Sequence, residues 1–224
     1  MKSFLQPIMA ILWKDLLTEI RSKEIITPLV GFSVVTILIF SMLFSGSSQL
    51  SNKFASSILW IGFTFGGILG LIKIFSSEKE NNGMAGLSSS SANTEQIYFG
   101  KLISTFLFLS IVELIMLPVF GILFNIQIFI LELWLITLLG TLGFSAIGTT
   151  FSAMTMNLRS KDIMLPILFL PIVIPVIIAA VSSSTEIING GSLSEIHIWL
   201  ELLVVFDALF ILIGAWTFRF VTEE

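Results

Sequence analysis

The chain has 224 residues, of which 55% are hydrophobic and 12% are charged, whereas an ordinary soluble domain is about 25% charged. The apolar residues form long continuous blocks without the alternation of barrel strands, which predicts an all-α protein that crosses the bilayer several times. The net charge of -4 includes no long basic segment, so nucleic acid is not an expected partner. The absence of cysteine excludes disulfides and thiolate metal sites.

Residues 3–24 form the first predicted element, an amphipathic helix. Its apolar residues recur at helical spacing, and its charged residues fall mostly on other faces. We predict that this helix lies in the membrane interface. The alternative is a cytoplasmic helix that packs on protein. Because the stretch lacks a short apolar region followed by a small-residue cleavage site, we expect no cleavable signal peptide.

Six further blocks are long and apolar enough to be transmembrane helices, and they follow one another in a single domain over 1–224. The fourth block exceeds the roughly 20 residues that a bilayer needs, so it must tilt, break or project into the cytoplasm. The longest polar stretch lies at 76–96, where we predict a cytoplasmic loop. The predicted spans are 28–44, 54–75, 98–124, 128–156, 163–181 and 196–220.

The distribution of lysine and arginine predicts the orientation of these spans. If the N-terminus is cytoplasmic, every basic residue except Lys53 falls in a cytoplasmic segment or at a cytoplasmic helix end. The positive-inside rule strongly favours this arrangement. We therefore predict that both termini are cytoplasmic, that 76–96 and 158–162 lie on the same side, and that 45–53 and 182–195 lie outside.

The stretch 138–181 organises the sequence, because two apolar runs flank one short basic turn. Small residues in the fourth span and a tandem small-residue pattern in the second span allow close helix approach, either between subunits or within one subunit. Three prolines in the fifth span remove backbone donors, and this predicts either a moving kink or a static bend. The predicted helix-packing residues are Gly62, Gly66, Gly70, Gly140, Gly143, Pro166, Pro171 and Pro175.

Two carboxylates, Glu113 and Asp207, lie inside apolar runs. An ionisable side chain in the membrane is costly, so we expect both to face the bundle interior. They are either part of a proton or substrate path, or polar contacts between helices. His197 is the single histidine, and one imidazole without thiolates does not build a metal or haem site.

No catalytic set is visible. The single Gly-Lys pair, Gly100-Lys101, is followed by Leu102, and Glu95 stands where a nucleotide-binding loop needs its first glycine. Paired carboxylates, a metal cluster and a nucleophile with its base are also missing from the sequence. We therefore expect a non-catalytic protein that does not hydrolyse ATP.

Three stretches resemble a known family. The first stretch consists of LLGTLGFSAIGTTFSAMT, the basic turn and LPILFLPIVIPVIIAA. The second is the N-terminal KDLLTEIRSKEIITPL, and the third is IYFGKL at 97–102. On these stretches the chain resembles, over nearly its whole length, the B subunits of the cytochrome c maturation haem exporter (CcmB), which are ABC-transporter permeases. It departs from that family at SSSSANTEQ, which lacks the prolines that often follow the second span.

This resemblance implies a permease subunit in the cell inner membrane for haem export or haem-chaperone release in cytochrome c biogenesis. The implied partners are an ATPase (A) subunit, a haem-handling C subunit, a small D subunit and a periplasmic haem chaperone. We expect no cofactor bound by this chain; haem would be the ligand transported or handled. The alternatives are an ABC export permease for another substrate, and a non-conducting subunit that relays ATPase motion.

The contact with the ATPase is expected on two cytoplasmic segments. Met84 and Leu87 in a short helix of 76–96 would fill an apolar groove on the ATPase, and the basic turn would add charge. The alternative for 76–96 is a solvated, flexible loop, which its four consecutive serines favour. The predicted coupling residues are Gly83, Met84, Gly86, Leu87, Arg159 and Lys161.

Overall fold

A computed structural model describes residues 2–44, 48–80, 92–156, 158 and 160–222. This part of the chain contains seven helices and no strand. They are α1 (Lys2–Ser22), α2 (Ile26–Phe44), α3 (Ser48–Glu80), α4 (Thr94–Phe124), α5 (Leu131–Thr155), α6 (Lys161–Ile188) and α7 (Leu193–Thr222).

The helices α2 to α7 each contain a segment that is long and apolar enough to cross a membrane. The prediction of an all-α polytopic membrane protein with six spans after an N-terminal helix is therefore confirmed. The interfacial position of α1 and the cytoplasmic location of both termini stay predictions. The longest apolar block, predicted at 128–156, is one unbroken helix of 25 residues in α5, which is about 38 Å long at 1.5 Å per residue.

Several helix ends differ from the predicted bounds. The predicted span 163–181 lies within the longer helix α6, which continues to Ile188. In this polar extension the Thr185 hydroxyl donates to the Val181 carbonyl at 2.7 Å. The predicted loop 76–96 is helical at both of its ends, since α3 continues to Glu80 and α4 begins at Thr94. Hydropathy predicts the part of a helix that can lie in the hydrocarbon core of the bilayer, but it does not predict the residue at which the helix ends.

The start of the fourth predicted span at 128 is also wrong, because 126–130 is not helical. Asn125 ends α4 in the left-handed region with φ of 52°. The Trp134 indole then donates to the Ile128 carbonyl at 3.0 Å and fixes the extended segment against the first turn of α5.

Helix α5 is the centre of the bundle and contacts α3, α4, α6 and α7. Its small residues let bulky side chains approach: Trp60 of α3 lies directly against Gly140, and Leu71 of α3 lies against Gly148. The remaining space is filled by a chain of edge-to-face aromatic rings. Their centroids are separated by 5.4 Å for Trp60–Phe63, 5.0 Å for Phe63–Phe144 and 4.7 Å for Phe144–Phe169.

The small-residue stripe of α3 packs within the chain. Gly66 lies against Ser33 of α2, and Gly70 lies against the Leu29 side chain. The Ser33 hydroxyl donates to the Gly62 carbonyl at 3.1 Å. Helix α2 therefore covers the face that could otherwise have received another subunit, which agrees with the packing interpretation of this pattern.

The three prolines at 166, 171 and 175 lie inside α6 without ending it. Each removes one intrahelical donor, and neighbouring helices make this tolerable in a membrane bundle. Helix α6 packs against α3, α5 and α7. The Trp60 indole of α3 donates to the Ser184 hydroxyl at 3.1 Å and so fixes the far end of α6.

Candidate functional site

Four charged side chains from three helices meet at one end of the bundle. We call them the four-charge cluster: Lys14 and Asp15 of α1, Glu78 of α3 and Lys101 of α4. The Lys101 amino group lies 2.9 Å from Asp15 Oδ2 and 2.8 Å from Glu78 Oε2. The Lys14 amino group lies 3.1 Å from Asp15 Oδ1 and also donates to Glu78. The cluster therefore ties α1 to both α3 and α4.

The four-charge cluster is mostly withdrawn from water. The side chain of Lys101 is 2% exposed and that of Glu78 is 7% exposed, whereas Lys14 is 43% exposed. Removing a charge from water costs several kcal/mol, and only close partners and full hydrogen bonding repay that cost. Burial alone would lower the pKa of Lys14, but the Asp15 and Glu78 carboxylates outweigh it and raise the pKa above 10.5.

A cavity of 410 Å³ adjoins the four-charge cluster. Thr18 and Ser77 add polar groups to its lining, and Ile25, Ile74 and Phe108 add apolar surface. This end of the bundle is therefore less tightly packed than the interior around α5.

The turn from α1 to α2 is also held by polar contacts. The buried Glu19 carboxylate accepts the backbone N–H of Ile25 at 3.1 Å and that of Ile26 at 2.7 Å, and thereby caps the N-terminus of α2. Lys73 of α3 forms an ion pair with Glu24 at 3.0 Å. These contacts fix where α1 ends relative to the first apolar helix.

The predicted coupling residues Gly83, Met84, Gly86, Leu87 and Arg159 lie outside the described residues. Lys161 begins α6, but only its backbone is described. One member of the four-charge cluster lies within the predicted segment 76–96: Glu78 is in the last turn of α3, which ends at Glu80.

Glu113 and Asp207 are both buried in protein, at different places in the bundle. Glu113 of α4 lines a small cavity with Trp60 and Thr137. Asp207 of α7 is 4% exposed, and its Oδ1 lies against Gly143. Neither carboxylate oxygen of Asp207 has a hydrogen-bond partner among the described residues.

His197 is exposed, and its Nδ1 lies 2.8 Å from the Ser194 carbonyl oxygen, one turn earlier in α7. Across the described ranges, no group of three or more histidine, aspartate or glutamate side chains has a metal-binding arrangement.

The sequence analysis did not predict the four-charge cluster. Its partners are far apart in the chain, with 86 positions between Asp15 and Lys101 in the numbering, and no periodicity links them. One signal was present: Lys101 is the single basic residue of the block 98–124. A lysine inside an apolar helix needs a carboxylate from another element.

The described part of the chain thus defines a class of protein: a polytopic α-helical membrane protein whose buried ion pairs lie at one end of its bundle. The family model described as "CcmB protein" matches residues 6–221. The chain therefore belongs to the CcmB protein family, and it is a multi-pass protein of the inner membrane.

Several relatives named heme exporter protein B are similar over most of their length. The protein from Pseudomonas aeruginosa is 27% identical over 80% of this chain and 81% of its own. That from Haemophilus influenzae is 24% identical over 78% of this chain and 80% of its own. That from Rhodobacter capsulatus is 26% identical, over 75% and 78% respectively.

Proposed function

We propose that the chain is the permease subunit of an ABC transporter that exports haem, or releases a haem-loaded chaperone, in cytochrome c biogenesis. The observation that supports this proposal is the family match over 6–221, together with relatives named heme exporter protein B. ATP hydrolysis takes place on a separate ATPase subunit. A haem-handling C subunit, a small D subunit and a periplasmic haem chaperone complete the proposed set of partners.

The four-charge cluster gives this proposal a mechanical basis. Glu78 lies near the end of α3, directly before the segment proposed to dock on the ATPase, and its carboxylate is bonded to Lys101 in α4. Asp15 bonds the same amino group and adds α1 to the unit. A force that reaches the end of α3 would therefore act on α1 and α4 as well, because Glu78 and Asp15 both bond the Lys101 amino group.

Two cavities between the packed helices are too small for a substrate of the size of haem. The cavity beside Glu113 and the cavity beside Ser152 each have a volume of about 10 Å³, which is room for about one water molecule. A porphyrin does not fit either of them. We propose that haem, if it touches the chain at all, is held at an interface with another subunit, or that the chain relays ATPase motion without conducting substrate.

Deletion of the chromosomal copy in the source organism tests the overall function. The expected result is loss of covalently bound haem from c-type cytochromes, detected by haem staining of denaturing gels, while b-type cytochromes remain. A plasmid copy of this chain should restore the staining. Normal c-type cytochromes in the deletion strain would refute the haem function and favour an export permease for another substrate.

Haem binding to the purified subunit separates the two modes of action. Saturable binding by the subunit alone, seen in the Soret absorption, would show that the chain is a conduit by itself, whereas binding by the complex alone is the result expected for an interface site or a relay subunit. The measurement is a titration of the subunit alone and of the complex, in the same detergent.

The orientation can be tested by cysteine labelling. In the cysteine-free background, Ser48→Cys and Ser89→Cys should react with a membrane-impermeant maleimide from opposite sides, because the basic residues predict 76–96 inside and 45–53 outside. Labelling of both variants from intact cells would contradict this orientation.

The ATPase contact can be tested by crosslinking. Cysteines at Met84 and Leu87 should crosslink to the ATPase subunit, and polar replacement there should uncouple ATP hydrolysis from chaperone release. Cysteines at Arg159 and Lys161 are the comparison. Crosslinks at the second pair alone would move the coupling element to the turn before α6.

A further inference from the structure

A groove of 350 Å³ lies between the α1–α2 turn and α4. Its walls are mainly apolar, and its polar lining consists of Glu19, Lys23 and Thr27. The apolar lining residues are Leu16 and Ile20 of α1, Ile26 of α2, and Phe108 and Ile111 of α4. The groove is therefore amphipathic, with charged groups at the turn and hydrocarbon along the helices.

The two charged side chains of the groove, Glu19 and Lys23, differ in the bonds that they already make. The Glu19 carboxylate already accepts backbone N–H groups of Ile25 and Ile26 at the N-terminus of α2. Lys23 is exposed, and none of the ion pairs found among the described residues includes it. The amino group of Lys23 is therefore the charge that the groove offers to a ligand.

The position of the groove relative to the membrane selects the class of ligand. Helix α2 begins at Ile26 and is a candidate span from that residue onward, so Lys23 stands at the membrane surface beside the first turn of a span. Basic groups between helices at this level attract the headgroups of anionic lipids. The apolar walls next to Lys23 offer a path for an acyl chain.

Charge and position together select the occupant of the groove: a cation without an ion-pair partner among the described residues stands at the start of a candidate span, beside an apolar channel between helices. We propose that the groove binds an anionic phospholipid, with its phosphate on the Lys23 amino group and one acyl chain between α1, α2 and α4. This site does not depend on what the protein transports.

The test uses the full chain, purified and delipidated in a neutral detergent. Phosphatidylglycerol and phosphatidylcholine with the same acyl chains are titrated while the unfolding temperature is recorded, and native mass spectrometry counts the retained lipids. Phosphatidylglycerol should stabilise the protein at lower concentration than phosphatidylcholine. Lys23→Asn should raise the required phosphatidylglycerol concentration about fivefold, which corresponds to one surface cation.

The choice of variants keeps the fold intact. Lys23 has φ of 53°, and asparagine tolerates this left-handed conformation better than most residues. Lys23→Arg keeps the cation and should respond to phosphatidylglycerol as the unchanged chain does. Lys53→Gln is the matched control, because it removes an exposed cation at the other end of α2 and α3 and should leave the response unchanged.

Three results of the titrations, and one result of a labelling experiment, would overturn the proposal. One is equal stabilisation by phosphatidylglycerol and phosphatidylcholine, and another is an equal loss of response in Lys53→Gln. The third is competition by free glycerol 3-phosphate, which would show that the acyl chain does not contribute. A photoreactive phenylalanine at Ile20, which is exposed and lines the groove, should label phospholipid in membranes; label on another protein chain would assign the groove to a protein partner and refute the lipid site.

Discussion

Two of the regions in which the protein buries ionisable side chains differ in how those side chains are paired. At the α1 end, Lys101 and Glu78 are almost fully buried, and each has oppositely charged partners within 3.2 Å. Between α5 and α7, Asp207 is equally buried and has no hydrogen-bond partner within the described residues. In the first region four charged side chains join three helices, whereas in the second the Asp207 carboxyl group lies against the backbone of Gly143.

The buried charges of the four-charge cluster therefore have a structural role, whereas the burial of Asp207 is not explained by a contribution to stability. Removal of one charge of a buried pair leaves its partner buried without a counter-charge, so every single substitution in the four-charge cluster should lower the free energy of unfolding. Neutralisation of an unpaired carboxyl group leaves no other charge without a partner.

Lys101→Met should destabilise the protein by about 3 kcal/mol, because it leaves Asp15 and Glu78 buried with only the half-exposed Lys14 as a cation. The measurement is unfolding by SDS in mixed micelles. Lys73→Met is the matched control: it breaks the exposed ion pair with Glu24 and should cost less than about 1 kcal/mol. Similar costs for the two lysines would show that the four-charge cluster does not hold the helices together.

Gly140→Ala should cost about 2 kcal/mol, since the added methyl group would overlap the Trp60 ring. Trp60 cannot easily move, because its indole donates to Ser184 and its ring is buried. Gly31→Ala is the control, because nothing lies within 4 Å of its new methyl group, and it should leave the unfolding free energy unchanged or slightly higher. Equal effects at the two positions would mean that the bundle interior is looser than the structure shows.

Asp207→Asn should change the unfolding free energy by no more than about 1 kcal/mol, because a carboxyl group without partners loses no favourable contact. The same substitution at Asp15 is the control and should cost about 2 kcal/mol, since it weakens two hydrogen bonds from the Lys101 amino group. If Asp207→Asn instead abolishes activity in a stable, assembled protein, Asp207 belongs to a proton or substrate path. A cost at Asp207 as large as that at Asp15 would reveal a partner contributed by another chain.

The smallest expected effect is the pH dependence of the Lys14 contribution. The pKa of Lys14 is raised in the folded protein, so its contribution is complete below the unfolded value of about 10.5 and is lost as the pH rises through the folded value. The difference in stability between the unchanged chain and Lys14→Met should therefore be constant from about pH 7 to pH 9 and should shrink above about pH 10.5. A difference that falls between pH 7 and pH 9 would contradict this assignment.

The sequence was sufficient to predict the six spans, because a bilayer imposes a length and a polarity that any apolar block must satisfy. It was not sufficient for the ends of α3 and α6, because both helices continue past the apolar block into polar residues. It also left open whether the stripe at Gly62 and Gly66 faces another subunit, a question that depends on where α2 folds back.

The candidate site was harder to predict than the fold, and Lys101 shows why. Its charge was visible in the sequence, but its partners come from α1 and α3, and no spacing rule relates three separate helices. Asp207 and Glu113 were noticed because each stands alone in an apolar run. That Asp207 lies against Gly143 was beyond the sequence, because it depends on how α7 is rotated against α5.

The long separation between Asp15 and Lys101 also fixes an order of events during synthesis. The lysine that holds α1 in place is made 86 positions after its carboxylate partner, a delay of roughly 4 to 17 s at ribosomal rates of about 5 to 20 residues per second. Helix α1 therefore leaves the ribosome first but reaches its final site only after α4 has begun to insert. The ion pairs that hold the first helix to be synthesised can therefore form only after Glu78 and Lys101 have both been made.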